Sequence, residues 1–125
     1  DGLIQIAGVD DPAGRGYGRS REEPERELLS GLPRDKFTLL LKHRPHVEKG
    51  AVGLFDLQLS GHAHKGQIFP FSLIHHVLFP YIAGLYDLSS GSRLYVSRGS
   101  GTWGPPIRFL APPEVTVIDL VPKNS

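Results

Sequence analysis

The chain has 125 residues, 39% apolar and 22% charged, with a net charge of +1 and a pI near 8.3. This is the composition of one small globular domain, or of part of a larger one, and the near-neutral balance gives no electrostatic footprint for nucleic acid. With no cysteine in the chain, disulfides and thiolate metal sites are excluded, so any metal must be held by His, Asp, Glu, Asn or backbone oxygen.

Methionine is also absent, and the sequence starts at Asp1 with "DGLIQIAGVDD". That stretch has neither the charged n-region nor the h-region of a signal peptide. The expectation is a piece cut from a larger protein.

"LIQIAGV" (residues 3–9) predicts a buried strand, stopped by the Gly- and Pro-containing loop "DDPAGRGYG". "SREEPERELLSGL" predicts a solvated helix capped by Ser20, with Glu22 and Glu23 in its first turn and Gly31 at its end. Its apolar content is only Leu28, Leu29 and Leu32, so it packs by its last turn. "KFTLLLKH" (residues 36–43) has the continuous apolar run of a strand buried on both faces. "RPHVEKGAVGLF" then predicts a short helix with Pro45 at its first position. "FDLQLS" (residues 55–60) is the next strand, with Phe55, Leu57 and Leu59 on one side.

Residues 66–86, "GQIFPFSLIHHVLFPYIAGLY", contain no Asp, Glu, Lys or Arg over a length that tempts a transmembrane assignment. Pro70 and Pro80 would interrupt such a helix, and Gln67, His75 and His76 add polar cost. A short helix around residues 72–79 is expected instead. It serves either as ordinary core or, through Phe69, Phe71, Leu73, Leu78 and Phe79, as an apolar rim beside a site. "SRLYVS" (residues 92–97) and "EVTVIDLV" (residues 114–121) predict two more strands around the loop "RGSGTWGPPIRF". No internal repeat or low-complexity tract occurs. The alternation predicts an α/β (or α+β) fold around a largely buried sheet.

The stretch that raises a chemical question is "LSGHAHKGQ", residues 59–67. His62 and His64 flank one alanine, between Gly61 and Gly66, which permit backbone angles or close approach that a Cβ would block. Imidazoles at this spacing can reach one metal ion or two neighbouring ions; otherwise they are polar turn residues. His43 ends the preceding strand at the corresponding place, since "LLLKH" and "LQLSGH" both run apolar and stop at His. If the two strands are parallel, both ends share one edge of the sheet, where α/β folds place their sites.

The words "LLLKHRP", "FDLQLSGHAHKGQIFPF" and "LYVSRGSGTWGPPIRFLAPPEVTVIDL" resemble the calcineurin-like metallophosphoesterases. The resemblance runs from "IAGVDD" to "VIDL" and is nearest to the bacterial, membrane-associated phosphodiesterase and UDP-2,3-diacylglucosamine hydrolase-like branch. It implies half of a layered αββα sandwich with a mixed sheet, residues 1–125 forming the C-terminal part of a single domain. It implies two divalent ions (Mn, Fe, Zn or Co), with His43 and His62 on one and His64 on the other. Such a pair clamps a phosphate and makes water nucleophilic near neutral pH.

The departures matter as much. The Asp-x-His, Gly-Asp-x-x-Asp and Gly-Asn-His-Asp/Glu motifs of the family's first half do not occur here, so the resemblance implies no catalytic residue within this chain. Ala63 stands where Thr is common and Lys65 where Gly is common. Lys65 and Arg98 are candidate phosphate contacts. His46 is expected to be exposed, His75 and His76 fall outside the ligand pattern, and Trp103 is expected to pack. Two function classes follow. One is a metal-dependent phosphoesterase, completed by a missing N-terminal half and acting on a phosphoester that the resemblance extends to lipid-linked ones. The other is a non-catalytic structural or single-zinc interaction domain. Localisation stays open, a peripheral position on the cytoplasmic face of a membrane being the setting the resemblance implies. A half-sandwich is expected to associate, either with its missing half or with other copies.

Overall fold

The computed structural model describes residues 3–11, 25–61, 81–100 and 113–122. In chain order these form β1 (Ile4–Val9), α1 (Glu25–Ser30), β2 (Phe37–Lys42), β3 (Leu57–Ser60), β4 (Gly84–Asp87), a 3-10 turn (Ser89–Gly91) and β5 (Arg93–Val96). The strands build one mixed sheet in the order β1-β2-β3-β5-β4. β1, β2, β3 and β5 run parallel, and β4 turns back antiparallel on β5. This is the α/β arrangement that the sequence predicts. The expected cap at Ser20 and the expected helix at residues 72–79 lie outside the described residues.

Register explains the burial. Ala7 pairs with Leu40, Leu40 with Gln58, Gln58 with Leu94 and Leu94 with Tyr86, so one row crosses the whole sheet on a single face. α1 covers that face by its last turn, as its sparse leucines predict. Leu29 is fully buried and joins Ala7, Leu40, Ala51 and Phe55 in one cluster, with Leu28 and Leu32 at its margin. A side chain such as Leu29 or Leu40 contributes about 1.5–3 kcal/mol when taken fully out of water. A second cluster, Leu94 and Val96 with Val47, Tyr81 and Tyr86, covers the β4–β5 end.

The opposite face is where expectation and structure part. β1 was expected to be buried, yet Ile4 is 47% and Ile6 67% exposed, because β1 is an edge strand and only its Ala7 side meets the α1 cluster. β2 was expected to be buried on both faces, yet Thr38 and Leu40 are buried while Leu41 is exposed. Leu85 on β4 is exposed as well. Phe55 precedes β3 and packs with Leu29 and Leu40, not on the side of Leu57 and Leu59.

Two expected elements are absent. Residues 44–55 form no helix: Ala51 N donates to Glu48 O and Leu54 N to Ala51 O, both three-residue turns, and Gly53 takes φ +87°. Only glycine suits that position, since a Cβ there would lie 3.1 Å from the Ser90 Cβ. The buried Ser92 hydroxyl locks the turn to the hairpin by donating to Phe55 O (2.5 Å) and accepting from Gly53 N (2.8 Å). Residues 114–121 form no strand; the segment is exposed from Val115 onward, because β propensity without a ladder partner does not make a strand. It is tethered at its start, where Glu114 N donates to Gly99 O (3.1 Å).

Candidate functional site

Because β1, β2, β3 and β5 are parallel, their C-terminal ends share one edge. A cleft opens there between Asp10, His43, Gly61 and Ser97, the residues just beyond these strands. The ladder continues past the strands themselves. Gly61 N donates to His43 O (3.0 Å) and Ser97 N to Ser60 O (2.8 Å). The strand-end histidine and the glycine that opens the G-H-x-H turn are thus held side by side, as parallel pairing of "LLLKH" with "LQLSGH" requires. His62, His64 and Lys65 lie outside the described residues, as do His75, His76 and Trp103.

His43 is half exposed at the cleft, its Nε2 3.6 Å from the Asp11 carboxylate. Asp11 also takes the Arg44 guanidinium, through Nε at 3.2 and 3.3 Å and through Nη2 at 3.2 Å. The chain therefore ties the end of β1 to the end of β2 with charge. Neither Asp10 nor Asp11 was singled out from sequence. The signal was present: "IAGVDD" is a third apolar run that stops at polar residues, and register aligns it with β2.

Behind the cleft, Lys42 Nζ meets Glu25 of α1 at 2.5 Å, with both side chains largely buried. A buried pair costs desolvation that a surface pair does not, so it fixes α1 against the end of β2 more than it adds stability. Arg98 lies between Ser97 and Gly99, which line the cleft, and its Nε stands 3.4 Å from Glu114 Oε2. Tyr95 and Thr116 hydroxyls bond the same Glu114 carboxylate. These bonds, with Arg98 adding a smaller attraction, hold the Glu114 pKa below its ordinary range. Burial first, then Glu114, pushes the Tyr95 phenol up. His46 is exposed, as expected.

The donors at this edge are imidazole and carboxylate, a set suited to borderline divalent cations. Among the described residues no group of three or more His, Cys, Asp or Glu could hold a metal ion. His43 alone of the three expected ligands is described; it is half exposed at the cleft and lies outside the apolar clusters.

Comparison with known proteins gives the chain's relatives. It is 37% identical over 124 residues to an uncharacterized metallophosphoesterase of Aquifex aeolicus, covering 98% of this chain and 48% of the relative. It is 41% identical over 129 residues to an uncharacterized metallophosphoesterase of Helicobacter pylori, covering 99% of this chain and 34% of the relative. A zebrafish protein named transmembrane protein with metallophosphoesterase domain is 35% identical over 125 residues, covering 94% of this chain and 28% of the relative. No family model matches, and no solved structure matches with significance. The chain thus spans about a third to a half of the bacterial relatives it matches, and nearly all of it aligns with them. These relatives support a metallophosphoesterase domain and do not favour the non-catalytic alternative.

Proposed function

We propose that residues 1–125 are the C-terminal part of a single metallophosphoesterase domain that hydrolyses phosphodiesters, its N-terminal half lying elsewhere in a longer polypeptide. The observation that carries this reading is the 3.0 Å bond from Gly61 N to His43 O, which sets the start of the G-H-x-H turn against the strand-end histidine. The exposed apolar side chains Ile4, Ile6, Leu41 and Leu85 on one sheet face support the second part of the reading, since exposed apolar surface of this kind calls for a covering layer.

On this reading His43 and His62 hold one divalent ion and His64 the other. When bound, two such ions (Mn, Fe, Zn or Co) supply Lewis acidity toward phosphate oxygens and lower the pKa of an attacking water. The chain's own share is to hold its imidazoles on rigid strand ends. β2 and β3 fix the backbone of His43 and Gly61, and the Asp11–Arg44 pair sets the charge beside the His43 ring. Lys65 supplies a cation to the phosphate. Arg98 does so only by exchanging Glu114 for the substrate.

The substrate class we propose is a lipid-linked phosphoester, the class the resemblance to the UDP-2,3-diacylglucosamine hydrolase-like branch implies, with peripheral contact of the apolar segment 66–86 at a membrane. The zebrafish relative's name, which includes a membrane protein, supports a membrane setting. Among the described residues no helix is long and apolar enough to cross a membrane. The test is hydrolysis of bis-p-nitrophenyl phosphate by the complete protein with Mn2+. Turnover that disappears in His43→Ala is expected. Full turnover in both His43→Ala and His64→Ala would reject the site.

A further inference from the structure

Gln58 is a polar residue at the centre of a sheet, fully buried between Leu40 and Leu94 in the row that crosses the α1 face. Its amide nitrogen donates to Ser60 Oγ (2.9 Å) and reaches His46 O (3.4 Å). Ser60 Oγ in turn donates to Arg44 O (3.3 Å). Among the described residues the Gln58 amide oxygen has no hydrogen-bond partner. A leucine would fill the same row without an orphaned acceptor, and a buried unsatisfied polar atom costs about 1–3 kcal/mol. The sequence therefore keeps, at the middle of its core, a residue that core packing alone disfavours.

What Gln58 does hold is the backbone of residues 44–46, the loop that leaves β2 directly after His43. We propose that Gln58 is a positioning residue for the metal site. Acting through Ser60, it pins the loop after His43 onto the end of β3, and so fixes His43 relative to the turn that begins at Gly61. The proposal rests on the reading of His43 as a metal ligand. It predicts opposite responses of stability and metal affinity, which an ordinary core residue does not give.

The experiment uses the complete protein and measures Mn2+ affinity by calorimetry beside thermal unfolding of the metal-free form. Gln58→Leu should leave the melting temperature unchanged or higher, while the Kd for Mn2+ rises roughly tenfold, the scale on which supporting interactions act on metal sites. Ser60→Ala removes the relay with less change to the core and should weaken Mn2+ binding in the same direction; it stands as the test if Gln58→Leu fails to fold. Unchanged Mn2+ affinity in the folded variants would overturn the proposal, and so would a melting temperature that falls together with affinity. His43→Ala is the control that separates the two claims. If it keeps the parent's Mn2+ affinity, the ligand reading itself fails; if it loses Mn2+ while Gln58→Leu and Ser60→Ala retain it, only the positioning role fails.

Discussion

Gly61 donates its backbone N–H to the carbonyl of His43 across 3.0 Å, each residue standing one position beyond the end of its strand, β3 and β2. A one-residue slip in that ladder would reverse every side chain on β3 and separate the two motifs. The proposed ligand assignment has a direct test. In the complete protein His43→Ala, His62→Ala and His64→Ala should each lower bound metal and activity more than about tenfold, since even outer-shell losses cost roughly 10–100-fold. His46→Ala, His75→Ala and His76→Ala should retain metal. Metal analysis of the six variants decides it, and an essential His46 beside a dispensable His43 would reject the strand-end assignment.

The isolated 125-residue chain should hydrolyse bis-p-nitrophenyl phosphate with Mn2+ no faster than buffer. Three imidazole ligands bring no negative charge to offset the repulsion between two divalent ions, which a carboxylate shared between them would relieve. Among the described residues no cluster of three ligands exists to substitute for these. Turnover that copurifies with the chain and vanishes in His64→Ala would contradict this.

The exposed apolar side chains on this sheet face have a measurable consequence. Ile4, Ile6, Leu41 and Leu85 are each more than 40% exposed, and alternation puts Ile4 and Ile6 on the same face of β1. The isolated chain should therefore sediment as an oligomer at micromolar concentration. Each such side chain contributes about 1.5–3 kcal/mol when buried, so Ile6→Lys with Leu85→Lys should weaken association by more than about tenfold. A parent chain that sediments as a single monomer species would count against the covering-layer argument.

Much of this fold is legible in the sequence because β2, β3 and β5 carry apolar runs with clear stops, and because the strand ends announce themselves with His and Gly. What fails does so for tertiary reasons. "RPHVEKGAVGLF" has a helical start, but Gly53 in a positive-φ turn locked by Ser92 overrides it, and Ser92 lies 39 residues away. "EVTVIDLV" has the composition of a strand, yet composition names no partner. The exposure of Ile6 follows from β1 being an edge strand with one uncovered face, a property of the sheet and not of "LIQIAGV". Asp11 beside His43 becomes visible only once β1 and β2 are known to be parallel neighbours.

Attachment of residues 113–122 should depend on pH at both limits. The Glu114 carboxylate is lowered below its ordinary 4.5 by Tyr95 and then Thr116. A depressed carboxylate stabilises the fold above its unfolded value, and that contribution is lost as pH falls through the folded value. Tyr95 is raised above its ordinary 10.0, by burial and then by Glu114, so its contribution is present below pH 10 and lost as pH rises beyond it. Protection of the Glu114 amide, which donates to Gly99 O, taken relative to its intrinsic exchange rate at each pH, should be greatest between these limits. Glu114→Gln should flatten the acid side, and an unchanged acid profile in that variant would dissociate the carboxylate from the attachment.

Of the apolar segment 66–86, residues 81–86 are described. There Ile82 is buried and donates its N–H to the Tyr86 hydroxyl (3.2 Å), the rings of Tyr81 and Tyr86 meet edge to face at 5.0 Å, and Leu85 is exposed. Residues 66–80 follow directly on the His turn in sequence and carry Phe69, Phe71, Leu73, Leu78 and Phe79. If they form a membrane-facing rim, each large side chain entering the bilayer boundary adds affinity in proportion to its apolar area. The complete protein should then float with liposomes, and Phe71→Ser with Phe79→Ser should reduce the bound fraction by more than about tenfold while bis-p-nitrophenyl phosphate hydrolysis stays near the parent level. Core packing predicts the reverse pattern, with loss of stability and of hydrolysis and no floating fraction to lose. A folded double variant that floats as well as its parent, or a parent that does not float at all, would return the segment to the core.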